Sequence, residues 1–561
     1  MTRKRGGGKP GRRSESDLHT PAHDLEASSE RDDRNDGASR AGTVGSVATR
    51  LYVPLVAFLT GASVMIVELA ASRVLSPYFG NTLYTWTALI GVIMIALATG
   101  YYVGGMIADR APRTIVLLHL LSGAAAAVIV VPFVALKVTQ SLAPEQQAVD
   151  IVTGPLTAAL LLFALPGCLL GTVTPFAVKL LSLRTDNKRV GASAGLVSGL
   201  STLGSVVGTF ASGFVLIPAM SIRAIFIAVG ATLALAAAIG YAGVLGSRAR
   251  SLPAAVVVAL GAMLLSYVAW ASEEPLEPGT VYQTDTFYHR IQVRRWREFT
   301  DRRVIEVSMD RAPEGAQYEG SGELKYEYTR YVRLERVFCP TMERAAFLGG
   351  GAYSMPEALA DAHADADIEV AEIDPEVANV GRRFFRLGDY AGRVVPITRD
   401  ARRFLAESRH RYDLIFGDAY HGRQNVPSHM VTREFFDLVR RRLDGDGVFM
   451  MNLIGAVQGR SNRLFSSVAA TVLDVFPEIY VFAVAPAFPE LTQNLILVAP
   501  ASQLGLSHDE MIRRAGDDRE LVQMVRTFIP SRLYDVVSAQ VLTDDFNPVE
   551  FIIARQLRES D

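Results

Sequence analysis

Apolar positions divide the chain in two. From about residue 51 to 271 they run in long blocks separated by short polar connectors. A run of about 20 apolar residues crosses a bilayer as a helix. The blocks predict spans at about 51–72, 85–107, 114–136, 155–181, 193–217, 222–244 and 253–271, seven in all. The fourth holds Pro155, Pro166 and Pro175 and is expected to kink or break. Gly199, Gly204, Gly208 and Gly213 on the fifth predict close helix packing. After about 280 the pattern shortens. The segments 281–283, 290–294 and 304–307 alternate and predict a small antiparallel lobe. Apolar runs at 344–347, 368–374, 394–401 and 412–418 follow, spaced by helical stretches. They predict an open, Rossmann-like α/β sheet.

Charge refines both halves. Arg110 and Arg113, then Arg184, Lys188 and Arg189, then Arg248 and Arg250, fall on alternate connectors. They share a side with the basic N-terminal tail, which the positive-inside tendency makes cytoplasmic. Seven spans place the C-terminal half outside, and one fewer places it in the cytoplasm. Glu68 and Arg73, near the end of the first span, read as an interfacial or internal ion pair, or as a functional pair. Residues 1–49 are rich in Arg, Gly, Ser and Asp and predict an unstructured tail. No apolar stretch directly follows its first basic cluster, so no cleavable signal peptide is expected.

In the soluble half the acids stand at strand ends. Glu372 and Asp374 end the second run, Asp400 the third and Asp418 the fourth. Ligands of open α/β sheets bind at those ends. The first run leads into Gly349-Gly350-Gly351, a turn that lets a ligand approach the backbone. An acid after the second strand suits a ribose diol. One after the third suits an adenine amine. The glycines continue as Ala352-Tyr353-Ser354-Met355-Pro356, so the third glycine of a pyrophosphate-binding turn is missing. Cofactors of the S-adenosylmethionine type carry no pyrophosphate and do not need it.

With 561 residues the chain has room for several domains. The boundaries read as a tail over 1–49, a membrane domain over 50–272 and a β lobe with a tyrosine-rich segment over 280–334. A transferase domain over 335–500 and a helical extension over 501–561 complete the chain. A net charge of −2 gives no reason to expect nucleic acid. Cys168 and Cys339 are too few and too far apart for a disulfide framework or a zinc site, and no metal is expected.

The order of the β lobe, Lys325-Tyr326-Glu327-Tyr328-Thr329-Arg330-Tyr331, Leu348-Gly349-Gly350-Gly351, Glu372-Ile373-Asp374, Asp400-Ala401 and Tyr412-Asp413-Leu414-Ile415-Phe416-Gly417-Asp418 resembles the spermidine synthase family, the polyamine aminopropyltransferases. Ser76-Pro77-Tyr78-Phe79-Gly80 and Gly100-Tyr101-Tyr102-Val103-Gly104-Gly105 resemble its membrane-fused members. The resemblance covers about residues 51–500. It implies that Gly349, Gly350 and Gly351 cradle decarboxylated S-adenosylmethionine. Glu372 then holds the ribose, and Asp400 with Ala401 recognises adenine. Asp418 accepts a proton from the attacking amine, and Tyr328 lines the amine channel. His289 stands where the family has a glutamine that contacts the nucleoside.

The departures from the family lie on the amine side. The Asp that usually follows the glycines, and pins the cofactor ammonium, is Ala352. Where the family has Ser-Ser-Asp-Pro, this chain has Ala419-Tyr420-His421-Gly422, so His421 replaces a substrate-binding acid. The late tyrosine of the polyamine pocket has no counterpart in Ala485-Pro486-Ala487-Phe488-Pro489. His421 also reads as a loop histidine capping the backbone. His429 and the other histidines read as structural, and Asp374 and Asp413 as caps or strand ends. The expectation is a membrane-anchored aminopropyltransferase acting on a small amine such as putrescine, with the lipid bilayer as partner and a homodimer left open. The alternatives are a methyltransferase using S-adenosylmethionine, or a non-catalytic polyamine or nucleoside sensor coupled to a transporter-like membrane half.

Overall fold

The computed structural model of the protein describes residues 32–143, 152–183, 189–245, 276–420 and 426–559. Among them six helices are long and apolar enough to cross a membrane. They are α1 (Asp32–Phe79), α2 (Leu83–Arg110), α3 (Thr114–Leu142), α4 (Thr153–Leu183), α5 (Val190–Ala211) and α6 (Ile222–Leu245). The seventh predicted segment, 253–271, lies outside the described residues. Helix α1 starts at Asp32, within the stretch expected to be unstructured. Extending an existing helix adds one hydrogen bond per residue, so a formed span can propagate upstream. Helix α4 does not break. It runs without interruption past Pro166 and Pro175, and Pro155 sits in its first turn, where a missing N–H costs little. The irregular turn falls instead after α5, as a π-helical segment at Ser212–Leu216.

Glycine sets the closest approaches. A Cβ at Gly204 or Gly208 of α5 would lie 2.0 or 2.4 Å from the carbonyl oxygen of Phe58 or Ala62 on α1. The same pairs show that α1 and α5 run parallel. Helices α3 and α6 run antiparallel, with Ile129 against Gly230 and the Arg223 guanidinium 5.1 Å from the centre of the Phe133 ring. The soluble half meets the bundle at the α1–α2 turn. Arg73 Nη1 donates to the Tyr288 carbonyl at 3.0 Å. Leu83 N donates to Glu550 Oε2 at 2.8 Å. The predicted Glu68–Arg73 pair does not form: Arg73 turns to the lobe instead.

The connector 111–113 lies a full helix length from the α1–α2 turn, at the opposite end of the bundle. Single cysteines at Arg113 and at the exposed Val537, in a chain with Cys168 and Cys339 replaced by Ser, should face opposite sides of the membrane. An impermeant thiol reagent on intact cells should label one and spare the other. Equal labelling of both contradicts the arrangement.

The lobe is a four-stranded antiparallel sheet in the order β1 (Thr280–Asp285), β2 (Arg290–Arg297), β3 (Arg303–Met309) and β4 (Ala312–Tyr318). Three of these strands were expected. Strand β4 was not, because Ala312-Pro313-Glu314-Gly315 has no alternating pattern, and its pairing with β3 is irregular at Val307–Ser308. Asp310 and Arg311, both with positive φ, make the tight turn that brings it back.

The main sheet has eight strands. Its parallel part contains β5 (Arg344–Leu348), β6 (Asp367–Glu372), β7 (Val394–Thr398), β8 (Tyr412–Gly417) and β9 (Leu443–Gly455). Strands β10 (Tyr480–Ala483), β11 (Gln493–Pro500) and β12 (Phe528–Ile529) extend it antiparallel. The order is β12-β10-β11-β9-β8-β5-β6-β7. The central strands are near-continuous apolar runs, as burial on both faces demands. The order reverses between β5 and β8, so the crevice opens at their C-terminal ends. The extension after residue 500 is mainly helical, and β12 closes the sheet edge.

Candidate active site

The glycine turn after β5 exists because side chains do not fit it. Gly349 has φ +111°, and a Cβ there would lie 2.4 Å from the Asp418 carbonyl oxygen. Gly350 N donates to Glu372 Oε2 at 2.8 Å, and Asp374 N donates to Glu372 Oε1 at 2.9 Å. Two backbone donors thus fix the carboxylate and leave lone pairs for a diol. Burial raises the pKa of Glu372 above the usual range, against those two N–H groups. Asp374 is a cap, as expected: it opens the helix Pro375–Phe384 by accepting from Glu376 N at 3.0 Å. Asp413 likewise ties a strand start, accepting from Glu343 N and Arg344 N.

Asp400 caps the helix Ala401–Glu407 through Arg403 N, at 2.9 Å. Its other oxygen lies 3.1 Å from His429 Nε2, and that hydrogen bond, chiefly, holds its pKa low. Asp418 follows β8. Asn452 Nδ2 donates to Asp418 Oδ1 at 2.9 Å, and Asn494 Nδ2 donates to Asn452 Oδ1 at 3.0 Å. Burial pushes the Asp418 pKa up to about 6, with hydrogen bonds from Asn452 and Tyr328 opposing the rise. Tyr328 therefore lies at Asp418. His289 Nδ1 lies 2.7 Å from Asp310 Oδ2. Burial alone would lower its pKa, but the Asp310 hydrogen bond and the charges of Asp310, Glu372 and Asp374 raise it.

The structure thus brings Gly349, Gly350, Gly351, Glu372, Asp400, Ala401, Asp418 and His289 onto the wall of one cleft. His421 lies outside the described residues. The cleft encloses about 80 Å³, less than the roughly 300–1,000 Å³ of ligand pockets. Half-exposed His429, bridged to Asp400, closes part of its wall.

Sequence reasoning missed four participants. Glu314 comes from the unexpected strand β4. Its backbone packs on the glycine turn, with a Cβ at Gly351 falling 2.9 Å from the Glu314 carbonyl oxygen and one at Gly315 falling 2.5 Å from Ala352 Cβ. Its carboxyl lines the cleft. Burial and then the charges of Asp418, Glu372 and Asp310 raise its pKa well above normal. His429, read as structural, also lines the cleft. Asn452 positions Asp418, and a lone amide within the apolar run 448–454 was a readable signal for it. Tyr420 accepts from Ile454 N at 3.1 Å and donates to the Asn452 carbonyl at 2.9 Å, bracing the same strand.

Comparison with known proteins decides the lineage of this half. The family model described as the spermine/spermidine synthase domain matches residues 336–506. The chain carries a C-terminal spermidine synthase domain. A polyamine aminopropyltransferase of Vibrio vulnificus is 29% identical over 182 residues, 32% of this chain and 57% of the relative. A probable polyamine aminopropyl transferase of Bifidobacterium longum is 26% identical over 214 residues, 37% of this chain and 46% of the relative. The chain thus spans about half the length of these curated relatives. Among solved structures, a probable spermidine synthase from Corynebacterium glutamicum matches with a TM-score of 0.38 and 24% identity. That match covers 48% of this chain and 97% of the other. The spermidine synthase domain here follows six apolar helices of membrane-spanning length.

Proposed function

We propose that the protein is a membrane-anchored aminopropyltransferase. It moves an aminopropyl group from decarboxylated S-adenosylmethionine to an amine. One observation carries this reading. Glu314, Glu372 and Asp418 converge on one cleft, and burial raises the pKa of each. Arg399, the one arginine on the described wall, has its guanidinium 3.3 Å from Glu407, outside the cleft. His289 offsets Glu372, but no described cation acts on Glu314 or Asp418, and buried acids without counter-charge favour a cationic ligand. Decarboxylated S-adenosylmethionine presents a sulfonium and an ammonium. The carboxylate of S-adenosylmethionine itself would meet these acids with like charge, which selects against it.

In this reading Glu372 accepts from the ribose hydroxyls, and Asp400 accepts from the adenine amine. The acceptor nitrogen attacks the aminopropyl carbon next to sulfur. The C–N bond forms as the C–S bond breaks, and methylthioadenosine leaves. Asp418 takes the proton that the nitrogen sheds. The asparagine pair behind it and Tyr328 hold it in line. Putrescine is one candidate acceptor. His421, in place of a carboxylate, suits a less highly charged amine.

Glu314 takes over the ammonium contact that Ala352 cannot make. Glu314→Gln should weaken decarboxylated S-adenosylmethionine by about tenfold or more, since a hydrogen bond to a charged group contributes roughly 1.5–3 kcal/mol. Methylthioadenosine lacks the ammonium and should bind the variant unchanged. Calorimetric titration of wild type and variant with both ligands, and with S-adenosylmethionine, tests this. Tighter binding of S-adenosylmethionine than of its decarboxylated form would favour a methyltransferase.

A further inference from the structure

Arg73 is a charged residue inside a helix of membrane-spanning length. Charges at such places often mark function. Its partners lie in the β lobe. Arg73 Nη1 donates to the Tyr288 carbonyl at 3.0 Å, and its guanidinium lies 5.2 Å from the centre of the Phe287 ring. It also faces the charge of Asp310. Further along α1, the Tyr78 ring has the Arg311 guanidinium 4.8 Å from its centre. These ties stand beside a gap. A cavity of about 540 Å³ separates the helix ends from the lobe, with Arg73, His289 and Asp310 on its wall.

The loop that Arg73 holds is the one that carries His289 to the transferase cleft. Thr286 folds it. Its Oγ1 accepts from Tyr288 N at 3.0 Å and from His289 N at 2.9 Å, and donates to Asp374 Oδ2. Asp310 closes the loop from the β3–β4 turn, through His289 Nδ1 at 2.7 Å and Arg290 N at 3.0 Å. The His289 ring lines the cleft and faces the charges of Glu372 and Asp374. One loop is thus stitched to the cleft acids on one side and to a membrane helix on the other. A loop fixed on both sides presents its side chain at a lower entropic cost than one fixed on one side.

We infer that Arg73 is a positioning residue for the nucleoside site: from helix α1 it holds the 286–290 loop and Asp310, and through them His289. Arg73 itself lines the cavity and not the cleft. Ligand binding in the cleft and the seating of α1 on the lobe are then coupled in both directions. The inference rests on reading the cleft as a nucleoside site, and not on which group is transferred.

The test is calorimetric titration of the full chain in detergent with methylthioadenosine. Arg73→Gln should weaken binding by about fivefold or more, the lower range of coupling between distinct sites. Arg73→Lys, which keeps a charged donor, should recover most of the loss. His289→Ala should also weaken binding. Adding Arg73→Gln to it should change affinity by less than about twofold, because the residue it acts through is gone. A merely structural arginine would cost the same factor in both backgrounds, and that result would overturn the inference. So would unchanged affinity in Arg73→Gln. Hydrogen exchange on the wild type covers the case in which the variant misfolds. Saturating methylthioadenosine should slow amide exchange in 74–80 as well as in 286–290, and protection confined to the cleft would contradict the coupling. A wild type that binds no methylthioadenosine would instead remove the nucleoside reading, and this assignment with it.

Discussion

Asp418→Asn is expected to lower turnover by about 100-fold or more, the usual contribution of a positioned general base, while decarboxylated S-adenosylmethionine still binds. The amide preserves shape and can still accept from Asn452 Nδ2, so the strand-end geometry survives. What is lost is the capacity to take a proton. The pH profile gives a second signature. An acid works as a base only when ionised, and burial places the Asp418 pKa at about 6. The kcat/KM of the wild type should therefore climb as pH rises through about 6. A bound sulfonium favours the ionised form, so the corresponding limb of kcat should lie lower. The residual activity of the variant should lack this limb. Near-normal turnover in Asp418→Asn would remove the residue from the chemistry.

Glu372→Gln should act on binding instead. The carboxylate accepts from Gly350 N and Asp374 N at once, and an amide can accept from only one of them. The other N–H would face a second donor, and the ribose would lose an ionised acceptor. With two charged hydrogen bonds at roughly 1.5–3 kcal/mol each, affinity should fall by about 100-fold or more. Decarboxylated S-adenosylmethionine and methylthioadenosine should weaken in parallel, because both carry the ribose. Glu314→Gln should separate the two ligands. Calorimetry on the two variants thus distinguishes a nucleoside contact from an ammonium contact. Equal affinity of wild type and Glu372→Gln for methylthioadenosine would contradict the ribose assignment.

The parts of the fold that repeat a period were legible in the sequence. Six of the apolar blocks are helices, and β5, β6, β7 and β8 lie where apolar runs predicted them. Glycines and strand-end acids were legible for the same reason, since local chain geometry fixes them. Contacts made across the fold were not. Strand β4 has no alternation, because Pro313 and Gly315 follow the needs of an irregular hairpin and of close approach to Ala352. Glu314 was hidden with it. His429 reaches Asp400 across 29 residues, a distance no local pattern reports. Arg73 looked like the partner of Glu68 because five residues separate them. It bonds instead to a carbonyl 215 residues away. The uninterrupted α4 had the same cause, since neighbouring helices tolerate prolines that would break an isolated helix.

The most direct measurement is turnover by the purified full chain with decarboxylated S-adenosylmethionine and a panel of primary amines, followed by mass spectrometry. The account predicts methylthioadenosine and an aminopropylated amine in equal amounts, both absent with Asp418→Asn. Decarboxylated S-adenosylmethionine left intact with every amine, or a methylated product from S-adenosylmethionine, would contradict it.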